Sequence, residues 1–224
     1  MNTNFQRLAL LGALLLVFSL DPCPAFAGER SDGIEFFEKR ISKPLGMTDT
    51  AFQVAPGKVA RLVEPFDDDK KGLTLLYTDP TKPVKFEAGG QGLTSTVMDY
   101  ARFAHMLLNR GSLDGTRILG KKTVELMTTD QVGPGIDRGP FFLPGQSHGY
   151  GLLGAVRPEG PRAPAPLNPM DGSVGEYYWA GYAGTYFWVD PKEELVGVYM
   201  MQSVKQLLPL ATTFKTLVVQ SIVE

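Results

Sequence analysis

The sequence predicts an α/β fold of the α+β kind, an antiparallel sheet flanked by helices, and three observations carry that reading. Residues 176–189 and 195–201 are dense in Tyr, Trp, Phe and Val, side chains that suit a pleated, half-buried surface. Asp190-Pro191-Lys192-Glu193 between them has turn chemistry, because Asp bonds nearby backbone and Pro presets φ. Residues 97–109 and 208–222 instead repeat apolar side chains at helical spacing. The 25 glycines and 17 prolines among 224 residues demand many turns, which a helical bundle would not need. At 43% hydrophobic and 21% charged residues, there is enough apolar material for a packed core. The net charge of −2, with no basic run, argues against nucleic acid as a main partner.

Taken in order, the chain opens on a leader-like segment. Arg7 precedes an apolar run, Leu8 to Leu20, and Ala25-Phe26-Ala27 is a small-residue cleavage signal. Residues 1–27 are therefore expected to be a signal peptide and residues 28–224 the mature domain, periplasmic or secreted. The run is too short for a stable membrane span, which takes about 20 residues. Cys23 precedes the expected cut, so the mature chain would hold no thiol. Ser31 or Asp32 can cap a short helix with Ile34, Phe37 and Ile41 along one stripe, ended by Pro44 and Gly46. Residues 50–90 show no sustained period, and 67–72 read as a solvated loop. The helix from Val97 to Asn109 places Val97, Ala101, Ala104 and Leu108 on one face, with Asp99 in its first turn and Gly111 as its stop. A further helix covers Lys121 to Met127, and Tyr150 to Arg157 read as a strand. A proline-rich linker, residues 158–169, leads to the strand pair. Gly181 and Gly184 interrupt the first of those strands, as glycines do at bulges. Pro209 suits the first turn of the last helix, whose apolar stripe is Leu210, Phe214, Leu217, Val218 and Ile222, of which the sheet is expected to cover one side and leave the other open.

Several rival motifs fail on physical grounds. Gly149-x-Gly151-x-x-Gly154 matches a dinucleotide fingerprint in form, but prolines follow it where a helix must begin. Asp67-x-Asp69-x-Lys71-Gly72 lacks the ligands a calcium loop needs. His105 and His148, the only histidines, have no carboxylate at ligand spacing, so neither metal nor other cofactor is expected. Ser147-His148 has no G-x-S-x-G elbow around it. Trp188 reads as core.

Five segments stand in order: Ile41 to Thr50, Gly89 to Phe103, Gly111 to Ile118 (GSLDGTRI, the loop after the helix), His148 to Gly154, and Trp179 to Gly181. Together they resemble the serine β-lactamase and penicillin-binding-protein superfamily, nearest its class C-like branch of β-lactamases, esterases and D-alanyl carboxypeptidases. Ile41 to Thr50, ISKPLGMTDT, resembles its I-x-x-P-L-G-M-x-D-T element. Gly89 to Phe103, GGQGLTSTVMDYARF, resembles G-G-G-L-x-S-T-x-x-D-x-A-R-F. His148 to Gly154, HGYGLLG, resembles the strand before its third active-site motif. Trp179-Ala180-Gly181 stands where the family carries Lys-Thr-Gly, His-x-Gly or Trp-x-Gly. The resemblance covers about residues 33–223 and implies an incomplete β-lactamase/transpeptidase-like fold. It also implies that Trp179, Ala180, Gly181 and Tyr182 form a substrate-binding edge, with the Tyr182 N–H as half of an oxyanion hole.

The family's nucleophile is the Ser of Ser-x-x-Lys and its base belongs to Tyr-x-Asn. No serine here has a lysine three residues on, and no tyrosine heads Tyr-x-Asn or Tyr-x-Ser. Thr212-x-x-Lys215 is the nearest imitation. No catalytic residue is therefore assigned, since a hydroxyl without a base in reach is a weak nucleophile. The resemblance implies small-molecule acyl substrates (β-lactams, D-alanyl peptides or small esters) or a cell-wall peptide, and two readings. One is an acyl-serine hydrolase completed by a separate N-terminal half. The other is a non-catalytic cell-wall-ligand binding remnant or decayed gene product. Two sheet strands and a helix of the family have no counterpart, so an unprotected sheet edge and a marginal, association-prone domain are expected.

Overall fold

The computed structural model describes residues 32–65, 69, 79–84, 89–90, 92–133, 135–139, 142–145, 147–160, 167–168, 172–206 and 208–223. The expected leader, most of the acidic loop 67–72 and most of the proline-rich linker lie outside the described residues. Five strands form one antiparallel sheet in chain order: β3 (Gly149–Tyr150), β4 (Ala155–Val156), β5 (Tyr177–Ala180), β6 (Tyr186–Asp190) and β7 (Leu195–Tyr199). A separate hairpin joins β1 (Ser112–Leu113) to β2 (Thr116–Arg117) through Asp114 and Gly115, both at positive φ, as a tight two-residue turn requires. The helices are α1 (Asp32–Phe37), α2 (Val97–Leu108), α3 (Lys121–Met127) and α4 (Pro209–Gln220).

The sheet separates two apolar layers because strand side chains alternate. Tyr177, Phe187, Val189, Val196 and Val198 pack with Ala104 and Leu107 of α2 and with Leu45 and Met47. Tyr178, Tyr186, Trp188, Leu195 and Tyr199 pack on the opposite face with Ala211 and Val218 of α4. β6 lies between both layers, so all five of its residues are buried. Trp188 faces Gly197 across the β6–β7 ladder, and a Cβ on Gly197 would lie 2.2 Å from the indole. The glycine is what lets the ring lie flat over β7.

Three expectations are corrected, two of them in the strand region. Residues 176–189 form two strands, not one interrupted strand, because the chain reverses at Gly181–Thr185. The Gly181 N–H donates to the Thr185 carbonyl at 2.8 Å, and Gly184 turns at φ 91°. Residues 150–157 likewise split into the β3–β4 hairpin, in which glycine spacing serves close packing: a Cβ on Gly149 would meet Asp130 at 2.1 Å, and one on Gly151 the Met127 carbonyl at 2.3 Å. Asp69, read as part of a solvated loop, is buried and accepts hydrogen bonds from the Ser203 hydroxyl and the Lys205 N–H.

α2 begins and ends as its caps dictate. Thr96 Oγ1 accepts from the Asp99 N–H, and Gly111 at φ 95° donates back to the Met106 carbonyl at 2.8 Å. The two longest motif segments meet at its first turn. Buried Asp99 accepts from the Asp49 N–H at 2.7 Å and from Thr50 Oγ1 at 2.9 Å, and Arg102 donates to the Leu45 carbonyl. Val97 was expected on the buried face but is exposed. The buried positions are Asp99, Ala104, Met106 and Leu107, because the helix turns Asp99 inward to those donors. α1 forms as expected and widens into a five-residue π-helical segment, Glu38–Ser42, that the spacing does not announce.

α4 leaves much of its apolar stripe uncovered: Leu210, Leu217 and Ile222 are exposed, Phe214 lies half-open against the Trp188 and Tyr199 rings, and Val218 packs on the sheet, while Ala211 and Lys215 are buried. The burial of Lys215 was not read from its spacing, and its cause is electrostatic. Lys215 Nζ donates to Glu176 Oε1 at 2.5 Å and to Asn168 Oδ1 at 2.6 Å, beneath the rings of Tyr178 and Trp188. Burial pushes the Glu176 carboxyl above the usual carboxylate range, while Lys215 and Asn168 pull it back down.

A carboxyl raised on folding contributes stability below its unfolded value and loses it as pH rises through its folded value. Replacing Lys215 by Met removes a lowering influence and raises Glu176 further. The variant should lose about 3–5 kcal/mol near pH 8, as buried pairs do when one partner is removed, and less near pH 4. Urea unfolding at both pH values measures this. An equal loss at both would mean that the lysine does not balance the Glu176 charge.

Candidate active-site edge

The four residues Trp179, Ala180, Gly181 and Tyr182 close β5 and open the reversal into β6. Trp179 and Ala180 are half-buried and Tyr182 is 51% exposed, so the strand delivers its end to the surface. The turn is built from small residues for steric reasons. A Cβ on Gly181 would meet Thr185 Oγ1 at 2.1 Å, and one on Gly184 would meet the Met201 side chain at 2.6 Å. The Ser203 N–H donates to the Ala183 carbonyl at 2.8 Å and ties the turn to the chain after β7. Among the described residues nothing accepts from the Tyr182 N–H. It is a backbone donor at an exposed turn, beside a residue with no side chain. Such donors can stabilise a developing oxyanion.

An aromatic wall beside this edge was not read from the sequence. The Tyr150 ring stands edge-on to Trp179, with centroids 5.2 Å apart and planes at 90°. Phe142 packs against Tyr150 at 6.3 Å, and the Arg138 guanidinium lies 5.7 Å over the Phe142 ring. Burial pushes the Tyr150 hydroxyl well above the usual phenol range. Asp130 fixes the loop behind the wall by accepting from the N–H groups of Val132, Gly133 and Tyr150, the last at 2.9 Å. The signal for Tyr150 was present in the HGYGLLG segment, but Phe142 and Arg138 sit in a stretch without period.

Among the described residues the other hydroxyl and imidazole groups do not assemble into a catalytic set. Thr212 Oγ1 donates to the Leu208 carbonyl at 2.8 Å, and Lys215 is committed to Glu176, so the imitation Thr-x-x-Lys has no nucleophile–base pair. His148 is 1% exposed, edge-on to Tyr178, with Ser147 Oγ 3.2 Å from its Nδ1. It is a core histidine and not open to substrate. His105 is exposed on α2, away from this edge. Among the described residues no group of three His, Cys, Asp or Glu side chains is placed to hold a metal, and no helix is long and apolar enough to cross a membrane.

The close approach of Gly181 and Thr185 gives a sharp mutational test. Gly181→Ala should destabilise the domain by about 1–3 kcal/mol through overpacking, and Gly181→Ala with Thr185→Ala should recover most of that loss. Thermal melts of the double-mutant cycle measure the coupling. Additive losses would mean that the glycine is needed for another reason.

The comparisons with known proteins match this architecture. The β-lactamase family model matches residues 27–220. An uncharacterised protein of Mycobacterium tuberculosis is 32% identical over 178 residues, covering 75% of this chain and 43% of that protein. The lovastatin esterase of Penicillium rubens is 28% identical over 193 residues, covering 76% and 45%. Unliganded simvastatin synthase from Aspergillus terreus superposes with a TM-score of 0.56 at 21% identity, over 81% of this chain and 46% of that chain. The chain thus spans less than half the length of each of these proteins, and the match falls on their C-terminal part. Helices around a five-stranded antiparallel sheet are part of the fold they share. With the family model covering residues 27–220, this chain belongs to the β-lactamase family, in relationship to its serine hydrolases and esterases.

Proposed function

We propose that this chain is an exported β-lactamase-family polypeptide that supplies the substrate-binding edge for acyl-serine chemistry and does not hydrolyse substrate by itself. The observation that carries this is the Gly181–Tyr182 turn, which presents an N–H with no acceptor among the described residues beside a glycine whose missing side chain leaves room for Thr185 Oγ1. In the proposed reaction, a serine hydroxyl attacks the acyl carbonyl and gives its proton to a neighbouring base. The oxyanion is held by the Tyr182 N–H and the nucleophile's own N–H. Collapse expels the leaving alcohol or amine with a returned proton, and water then releases the acid. The chain supplies neither Ser-x-x-Lys nor Tyr-x-Asn, so nucleophile and base come from a complementing N-terminal half. The Tyr150–Trp179 wall offers an apolar, aromatic surface to the acyl group. Similarity to an esterase and to simvastatin synthase favours small esters within the range of β-lactams, D-alanyl peptides and esters.

The isolated chain should leave a chromogenic β-lactam intact and take no label from a fluorophosphonate. Mixed with the N-terminal half of a related enzyme, labelling should appear on that half's serine and fall at least tenfold when Gly181 is replaced by Val. Intact-mass spectrometry reads both. Labelling of a serine in this chain would overturn the proposal, and failure of any mixture to label would favour a binding remnant instead.

Localisation to the periplasm or exterior rests on the order Arg7, Leu8 to Leu20 and Ala25-Phe26-Ala27. The exported product should begin at Gly28 by N-terminal sequencing. A product that keeps Met1 would remove the support for export.

A further inference from the structure

After β7, residues 200–206 form neither helix nor strand. They nevertheless lie against the reversal at 181–184. A Cβ on Gly184 would stand 2.6 Å from Met201 Cγ and 3.0 Å from the Ser203 carbonyl oxygen. The Gly184 N–H closes onto the Gly181 carbonyl at 3.0 Å, so Tyr182 and Ala183 are the two central residues of a β-turn. The Ser203 N–H donates to the Ala183 carbonyl at 2.8 Å. That bond grips the turn at the residue next to the Tyr182 N–H.

A segment outside any ladder needs another anchor, and Asp69 supplies one. Its carboxylate accepts from the Ser203 hydroxyl through Oδ2 and from the Lys205 N–H through Oδ1, the latter at 3.1 Å. Ser203 Oγ accepts in turn from the Gln206 N–H at 3.3 Å, so the hydroxyl is used as donor and as acceptor. Ser203 is fully buried and Asp69 is 3% exposed. Burying a carboxylate is costly unless donors compensate it, and these donors come from 134 and 136 residues further along the chain. Bonds to a carboxylate are about twice as strong as those between neutral groups. Two donors two residues apart, held by one carboxylate, fix the backbone between them. The direction of the Ser203 N–H is fixed with it.

We propose that Asp69 is a positioning residue for the substrate-binding edge: through Ser203 it locks the Ala183 carbonyl and so aims the Tyr182 N–H. Two hydrogen bonds in series carry the effect, Asp69 to Ser203 and Ser203 to Ala183. The inference rests on the proposed reading of the Tyr182 N–H as an oxyanion donor, and it adds a residue distant in sequence on which that donor depends.

The test compares Asp69→Asn, Ser203→Ala and the double variant in the isotope-labelled full chain. Asparagine keeps the shape of the side chain but turns an N–H₂ toward one of the two donors. Amide exchange followed by NMR should quicken at least tenfold at Ser203, whose N–H reports the tie to Ala183, while β6 stays protected as before. Adding Asp69→Asn to Ser203→Ala should quicken it little further, because both remove the same bond. Unchanged exchange at Ser203 would overturn the proposal. Equal quickening across β6 would also overturn it, since the carboxylate would then serve global stability alone. If Asp69→Asn does not fold, Ser203→Ala breaks the same bond from the other side and decides the matter. A second readout uses the N-terminal half of a related enzyme. Losing an oxyanion donor outright costs about 10²–10³ in rate, so in that mixture Asp69→Asn should lower the maximal rate of fluorophosphonate labelling at least tenfold and leave the half-saturating concentration unchanged. Labelling at the unaltered rate would overturn the proposal. A mixture that never labels would remove the acyl-transfer reading instead, and the exchange measurements would still show whether Asp69 holds the turn.

Discussion

The buried contact of Lys215 with Glu176 decides how the rest of this domain presents itself. A lysine can be sealed at 1% exposure only against a counter-charge, and Glu176 stands just before β5, where the sheet floor begins. Once that pair forms, the rotation of α4 about its axis is settled. Ala211, one turn earlier, must face the sheet, and Leu210, Phe214 and Leu217 must turn aside. A purely apolar helix would bury its most apolar stripe, but the cost of leaving Glu176 buried without a cation exceeds what one more leucine contributes, about 1.5–3 kcal/mol. Asn168 joins the pair through both ends of its amide and draws the end of the proline-rich segment against the same helix.

The opposite layer depends on a second buried carboxylate. Asp99 binds the first turn of α2 to residues 49 and 50, and Thr94 pairs with Ala51 through two backbone hydrogen bonds. Two segments about 45 residues apart in sequence thus form one unit that presses Leu45 and Met47 onto β6. The sheet is gripped on both faces by polar anchors with apolar contacts between them. Neither anchor touches the Trp179–Tyr182 edge, which leaves that edge open.

Much of this was legible in the sequence, and the failures share a cause. Helix α3, the Pro209 start and the Gly111 stop follow from local chemistry, and local chemistry is what sequence displays. The burial of Lys215 was missed because hydrophobic spacing assigns charged residues outward by default, and only the distant Glu176 reveals why it goes in. Gly181 and Gly184 were read as a bulge, yet the same residues make a full reversal; the difference lies in Thr185, whose side chain fills the space a Cβ would need. Asp69 was read as solvated since its neighbours are charged, while its hydrogen-bond donors come from 134 and 136 residues away. For the candidate site, Trp179 to Tyr182 came from a motif, whereas Phe142 and Arg138 belong to a loop without period and emerge only as neighbours of Tyr150.

The geometry of that edge is self-contained. Gly181 bonds Thr185, Gly184 bonds Gly181, and Ser203 bonds Ala183, so among the described residues the backbone hydrogen bonds that shape the turn come from residues 181–203. Ser203 is itself buried and bonded to Asp69. None of these contacts calls on a nucleophile, a base or a bound substrate. An oxyanion donor acts through its fixed direction, without reorganisation at the moment of reaction; if the proposed role of the Tyr182 N–H holds, the turn's own hydrogen bonds set that direction. Separating the binding edge from the nucleophile therefore need not blur the edge. What separation removes is proximity, the larger share of the advantage of a shared active site. A partner that docks with poor alignment would restore little chemistry even with the turn intact.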